Sequence, residues 1–188
     1  MPLGLIARIS RAVDRRRRAA IAVARARSTT QRRLRGAAIR RVLVVCYGNI
    51  YRSPFVGESL RRQLGARIEV RTAGFHAVSG RPSPERHVQM CDRLSVPLAS
   101  HRSNVITRED LEWADTIVFM DRHNWHALVT MGAERSKLVW LGALSDGPVE
   151  IADPYNMEAP AAERLLARLQ AATGVFAEQI RMQRSNAA

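Results

Sequence analysis

The sequence predicts a single α/β domain, an open and mostly parallel four-stranded sheet flanked by helices, preceded by a basic N-terminal extension. Three observations carry that expectation. Short apolar, β-branched runs recur along the chain, and segments with helical start signals or helical spacing separate them. Strands that alternate with helices form parallel sheets. The excess positive charge, finally, is gathered at one end. The first 41 residues hold 13 arginines, no lysine and one acid, Asp14, whereas the rest of the chain carries 17 basic and 16 acidic residues. The net charge of +13 therefore belongs to an arm, and the domain behind it is nearly neutral. The expected division is 1–38 for the arm and 39–188 for the folded domain.

The elements follow in order. Val42-Leu43-Val44-Val45 reads as a buried parallel strand. Ser53 as N-cap and Pro54 at the first helical position start a helix that runs to about Leu64, where Gly65 stops it. Residues 67–74 form a second strand. Ser83-Pro84-Glu85 opens a helix ending near Leu94, and Thr107 with Asp110 makes a capping box for a short one. Residues 116–120 are a third strand, followed by a helix through His123 to Val129, and residues 137–142 are a fourth. Pro160 opens a last helix of roughly 20 residues, judged by the spacing of Leu165, Leu166, Leu169, Val175, Phe176 and Ile180.

With 188 residues the chain can bury a core of its own. Its two cysteines, Cys46 and Cys91, are too few for a disulfide scaffold. No secretory signal is evident, and no apolar run is long enough to span a bilayer. A cytoplasmic setting is the expectation.

The stretch Cys46-Tyr-Gly-Asn-Ile-Tyr-Arg-Ser-Pro54 carries the chemistry. It leaves the carboxyl end of the first strand, where open α/β sheets bind ligands, and leads into a helix N-terminus. Inward backbone N–H groups of Tyr47, Gly48, Asn49, Ile50 and Tyr51 would make an anion site. Arg52 adds a planar fork suited to two phosphate oxygens. A helix N-terminus and a nearby arginine lower a thiol's pKa, so Cys46 should be a thiolate aimed at phosphorus. A leaving alkoxide or phenolate needs an acid across the pocket, and Asp153, followed by Pro154 and Tyr155, is the candidate. Cys91, beside Met90 and Leu94, reads as core. His76, His87, His123 and His126 read as surface or core, and Trp113, Trp125 and Trp140 as core.

Cys46, five residues, then Arg52-Ser53, with Asp153-Pro154-Tyr155 late in the chain, resembles the low-molecular-weight protein tyrosine phosphatases. The resemblance spans residues from about 40 to 182. Thr72-Ala73-Gly74, Gly80 with Pro82, Ser100-His101-Arg102 and Met120-Asp121 with Asn124 add to it. It implies that Cys46 attacks, that Arg52 and the loop amides hold the phosphoryl oxygens, and that Asp153 protonates the leaving oxygen. It also implies that Ser53 hydrogen-bonds the sulfur, that Asn49 and His101 brace the loop, and that Tyr155 lines the pocket. It calls for no metal and no cofactor. The substrate it implies is a phosphotyrosine protein.

Three departures stand out. Most members carry a second cysteine where this chain has Tyr51, so oxidised Cys46 lacks a neighbour for a disulfide. Tyr51 is expected to point away from the phosphate. Val78 stands where many relatives have an aromatic pocket wall, which is similar to bacterial members that act on tyrosine kinases controlling capsule and exopolysaccharide export. The arm is the third. Leu5, Ile6, Ile9 and Val13 share a helical face among Arg8, Arg11, Arg15 and Arg18. Such a helix suits an anionic membrane or an acidic partner; nucleic-acid binding and a solvated tail stay open beside these.

Two rival readings frame the expectation. An arsenate reductase on the same fold needs further cysteines after the third strand, where this chain reads Met120-Asp121. A non-catalytic phosphotyrosine-binding or phosphate-binding module would not need the nucleophile, arginine and acid together.

Overall fold

The computed structural model describes residues 3–36 and 38–185. Helix α1 (Leu3–Gly36) is followed by β1 (Arg41–Cys46), α2 (Arg52–Leu64), β2 (Glu69–Gly74), α3 (Glu85–Asp92) and α4 (Arg108–Trp113). Then come β3 (Thr116–Phe119), α5 (Arg122–Thr130), β4 (Leu138–Trp140) and α6 (Ala159–Ser185). The four strands are all parallel, in the order β2-β1-β3-β4. That order turns back at β1, the first strand laid down, and the crevice at its carboxyl end is the topological switch point.

β1 is the spine of the molecule. Val42, Leu43, Val44 and Val45 are all fully buried. Alternate side chains point to opposite faces of a strand. Val42, Val44 and Cys46 accordingly join one core with Phe55, Leu60, Leu169 and Phe176 of α2 and α6. Leu43 and Val45 join the other core with Leu111 and Leu128 of α4 and α5. The three tryptophans are partly buried and pack against this second core. Cys91 is fully buried in the first.

The elements expected from the sequence are all present, with shifted bounds. Thr107 and Asp110 form the capping box at α4. α6 is longer than expected, at 27 residues. Ser53 is not an N-cap: α2 begins at Arg52, and Tyr51 precedes it with no side-chain cap. The serine is drawn into the site instead, because its hydroxyl finds two partners there. α3 begins at Glu85, with Pro84 as its N-cap residue.

The extension is not all tail. Thr30 is fully buried and Leu34 is 1% exposed, inside the first core. The Thr30 hydroxyl accepts the Trp140 N–H at 3.3 Å, and the Arg33 guanidinium donates to the Leu138 carbonyl. Both groups belong to the outer edge of β4, so the last turns of α1 cover an otherwise open sheet edge. Arg27 donates to the carbonyls of Ser145 (3.0 Å) and Gly147 (2.9 Å). Further back, residues 20–22, 24 and 25 are exposed, with Ile21 43% open to solvent. The apolar face expected from Leu5, Ile6, Ile9 and Val13 lies among side chains outside the described ones.

Candidate active site

The loop between β1 and α2 is held open from outside. The Tyr47 carbonyl accepts the N–H groups of Phe75 (2.8 Å) and His76 (3.0 Å). The Gly48 carbonyl accepts from Arg81 Nη2 at 2.6 Å, and the Asn49 carbonyl from His101 Nε2 at 2.7 Å. The Tyr51 carbonyl lies 3.0 Å from His87 Nε2. No described peptide bond is cis, and in a trans peptide the C=O and the following N–H point in opposite directions. Four carbonyls gripped from outside therefore turn the N–H groups of Gly48, Asn49, Ile50 and Arg52 toward the loop's centre. That is a nest of aligned donors, closed by the free N–H groups of a helix start.

Two local features let the loop close. Asn49 adopts φ 51°, in the left-handed region that asparagine tolerates better than most residues. Gly74, paired with Cys46 across the sheet, leaves room behind the loop: a Cβ there would stand 2.7 Å from the Tyr47 carbonyl oxygen.

Cys46 ends the buried strand and is 1% exposed. Its Sγ lies 3.0 Å from Ser53 Oγ. Asn49 Nδ2 donates to that oxygen at 2.8 Å, which leaves the serine hydrogen free to face the sulfur. Asn49 Oδ1 in turn accepts the Asn104 N–H at 2.8 Å, fixing which way the amide faces. Burial, helped by Arg61 and Arg102, outweighs the Asn49 hydrogen bond and lowers the pKa of His101, so it stands neutral behind the loop.

Arg52 is 1% exposed and makes two ion pairs, Nη1 to Asp121 and Nη2 to Asp153, each at 2.5 Å. Nη1 also donates to the Ile151 carbonyl at 2.9 Å. Burial alone would weaken the charge, but Cys46, Asp153 and Asp121 together hold the guanidinium's pKa above its ordinary value. Its Nε–H is buried and has no hydrogen-bond partner among the described residues.

The cleft above Cys46 has a volume of about 430 Å³, and Tyr47, Gly48, Ile50, Tyr51, His76, Arg81, Asp153 and Tyr155 line it with the sulfur. The residues expected from the sequence thus converge, with Asn49, Arg52 and Ser53 beneath the surface. Val78 is different. It is 55% exposed and does not line the cleft, whose wall on that side is His76 and Arg81. Tyr51 does not simply point away: it meets the His87 ring edge-on at 4.8 Å and the Tyr155 ring at 6.3 Å. It forms part of the cleft and part of a smaller 60 Å³ cavity beside Arg86, Met90 and Leu166. Burial, with Asp153 and Tyr155, raises its pKa and keeps the phenol neutral.

Four residues were missed as site residues: Asp121, Arg81, His87 and His76, the last of which lines the cleft. Asp121 caps α5 through Oδ1, accepting the Asn124 N–H at 2.8 Å, and grips Arg52 through Oδ2. An Asp just after a strand is a cap signal, but its second use depends on Arg52 arriving from another element. Arg81 and His87 carry no sequence signal that separates them from other basic residues. Among the described residues, no group of three or more His, Cys, Asp or Glu side chains is placed to hold a metal ion.

Comparison with known proteins agrees with this geometry. The family model for the low molecular weight phosphotyrosine protein phosphatases matches residues 41–186. The chain belongs to that family. It is a phosphoric monoester hydrolase acting on protein phosphotyrosine. A probable low molecular weight protein-tyrosine-phosphatase, EpsP, of Ralstonia nicotianae is 31% identical over 144 residues, covering 76% of this chain and 97% of that relative. The tyrosine phosphatase Wzb from Escherichia coli K30, solved in complex with sulphate, superposes with a TM-score of 0.69 at 27% identity, covering 74% of this chain and 97% of that one. The YwlE arginine phosphatase from Geobacillus stearothermophilus shares the fold, with a TM-score of 0.71 at 23% identity over 78% of this chain and 96% of its own. The family match begins after most of the basic extension, at residue 41.

Proposed function

We propose that this phosphatase works through Cys46, Arg52 and Asp153, with a cysteinyl-phosphate intermediate. The observation that carries the reading is the buried, unpartnered Nε–H of Arg52 beside Cys46. Buried donors are nearly always satisfied, and a phosphoryl oxygen in the nest would satisfy this one. The Cys46 thiolate attacks phosphorus, and the bond from phosphorus to the tyrosine oxygen breaks. The Arg52 fork and the inward amides carry the charge on the equatorial oxygens. Asp153, which is paired with Arg52 while the cleft lacks an anion, is released when the phosphoryl group takes over the guanidinium; its carboxylate then takes up a proton from solvent beside the anionic phosphoryl group and delivers it to the leaving oxygen. In the second step Asp153 takes a proton from water, the water oxygen bonds to phosphorus, and the S–P bond breaks. Ser53 donates to the departing sulfur. Tyr47, Ile50, Tyr51 and Tyr155 flank the phenyl ring.

Hydrolysis of p-nitrophenyl phosphate between mildly acidic and neutral pH tests this. Wild type should turn over, Cys46→Ser should be inert, and Asp153→Asn should be slowed by about 10²–10⁴-fold. A folded wild type as inert as Cys46→Ser would leave a phosphotyrosine-binding module as the reading.

The physiological partner we propose is a tyrosine kinase that controls exopolysaccharide or capsule export in the bacterial cytoplasm. The similarity to EpsP and Wzb supports it. The arginine-rich outer part of α1 suits an anionic membrane surface near such a kinase. Capture of tyrosine-phosphorylated proteins by Cys46→Ser tests the partner: recovery of no kinase would overturn it.

A further inference from the structure

Helix α3 sets a buried titratable group against the phosphate-binding loop that the reaction scheme does not use. His87 is 4% exposed. Its Nε2 lies 3.0 Å from the Tyr51 carbonyl, and its ring meets the Tyr51 ring edge-on at 4.8 Å. Cys91, one turn on along α3, brings its sulfur to 3.4 Å from the same nitrogen. A carbonyl oxygen only accepts, so Nε2 carries the hydrogen. Burial lowers His87 to about 4 and pushes the Cys91 thiol up to about 12. The ring is therefore neutral, with one N–H, and Tyr51 is the stronger acceptor for it.

Position 51 is where the loop most needs support. It is the N-cap residue of α2, with φ −123° and ψ −80°, and no side chain caps the helix. The neighbouring Gly48 and Asn49 carbonyls have Arg81 and His101. The Tyr51 carbonyl has His87. Because the Tyr51–Arg52 peptide is trans, holding its oxygen outward holds the Arg52 N–H inward. The same plane sets the root of the Arg52 side chain.

We propose that His87 is a positioning residue: its hydrogen bond to the Tyr51 carbonyl aims the Arg52 amide and the base of the Arg52 side chain at the phosphoryl group. This rests on the reading of the Cys46 loop as a phosphate cradle. His87 touches no reacting atom. It acts through the peptide it grips, and Tyr51 supplies both that carbonyl and the ring against which the imidazole packs.

Two substitutions separate the hydrogen bond from the packing. His87→Phe keeps an aromatic ring against Tyr51 and removes the donor. His87→Gln supplies an amide N–H in its place. For each, kcat and KM for p-nitrophenyl phosphate, inhibition by orthovanadate, melting temperature and the pH profile of Cys46 alkylation by iodoacetamide are measured. Mass spectrometry of the Cys46 peptide keeps that readout clear of Cys91. The expected result for His87→Phe is a kcat loss of about 10–100-fold, the scale of a misaimed donor. Vanadate should bind more weakly, and the alkylation midpoint should move to higher pH, since one fewer aligned amide faces the sulfur. His87→Gln should recover most of all three.

A folded His87→Phe with wild-type kcat and an unmoved alkylation profile overturns the proposal. So does equal loss in both variants with vanadate binding and alkylation unchanged, which marks a packing role. A wild type that neither turns over nor binds vanadate instead sinks the phosphatase reading. The alkylation profile then still decides the question of His87, because it requires only the thiol and the amides.

Discussion

Replacing Gly74 by alanine presses on the cradle from behind. Gly74 ends β2 in register with Cys46, donates its N–H to the Asn104 carbonyl at 2.9 Å and accepts the Ile106 N–H at 2.8 Å. Bonded through both its N–H and its C=O to the segment 104–106, and paired with β1 on the other side, the strand end has no room to retreat. The new Cβ would stand 2.7 Å from the Tyr47 carbonyl oxygen, 2.8 Å from the Asn49 nitrogen and 3.0 Å from the Asn49 Cβ. Gly74 is not among the positive-φ glycines, so the backbone accepts alanine and the cost is steric alone. Restoring a contact of roughly 3.5 Å requires the loop to move by about 0.8 Å. A misplacement on the order of 1 Å costs about 10²-fold in rate. The expected loss in kcat is therefore about 30–100-fold, or roughly 2–3 kcal/mol of transition-state stabilisation. Overpacking should add about 1–3 kcal/mol of lost stability. The assay is p-nitrophenyl phosphate turnover beside urea denaturation of the same preparation. A Gly74→Ala enzyme with kcat within about three-fold of wild type and an unmoved denaturation midpoint would refute the reasoning, because the loop would then be soft where four outward braces make it rigid.

Three further results follow from the same contacts. Leu34→Ala should cost about 2–4 kcal/mol in urea denaturation, since the side chain is 1% exposed in the main core; no loss would mean that α1 does not pack as described. His87 titrates at about 4 when folded, below its ordinary 6.5, so the unfolded chain takes up the proton first. Stability should be full above about pH 6.5 and fall by about 3 kcal/mol toward pH 4, and His87→Phe should flatten that slope. A slope unchanged by the substitution would remove His87 as its source. Tyr51→Cys should raise the share of activity that dithiothreitol restores after hydrogen peroxide, because a vicinal thiol can trap oxidised Cys46 as a disulfide before it oxidises further. Equal recovery in both proteins would show that residue 51 has no part in protection.

Much of this protein was legible in its sequence because the signals are local. The buried run 42–45, the capping pair Thr107 and Asp110, and the spacing along α6 each encode an element within a few residues. The loop was legible for the same reason: Cys46, Gly48, Arg52 and Ser53 are neighbours in the chain, and a strand before and a helix after decide where they sit. Asp153 could be singled out only by its place in a loop and by the family resemblance. The structure brings it to 2.5 Å from Arg52.

The errors share a cause. Ser53 carries a capping signature, but a hydroxyl bonds whatever partner the fold offers, and here that partner is Cys46. Val78 was expected at the pocket wall, yet the side chains facing the cleft are set by the path of the segment after β2, which brings His76 and Arg81 inward. The arginine-rich extension looks like solvated charge until Leu34 and Thr30 are seen buried, since an edge strand to cover exists only once the sheet has formed.

The sequence by itself determined the order of strands and helices, the Cys46–Pro54 loop between β1 and α2 and the concentration of positive charge at the N-terminal end. All of these depend on residues close together along the chain. Tertiary structure alone decided that Asp121, Arg81 and His87 join His101, the brace the family resemblance implied, around that loop. These side chains come from separate segments, and each acts on a backbone or guanidinium group with no partner of its own until the sheet brings it near.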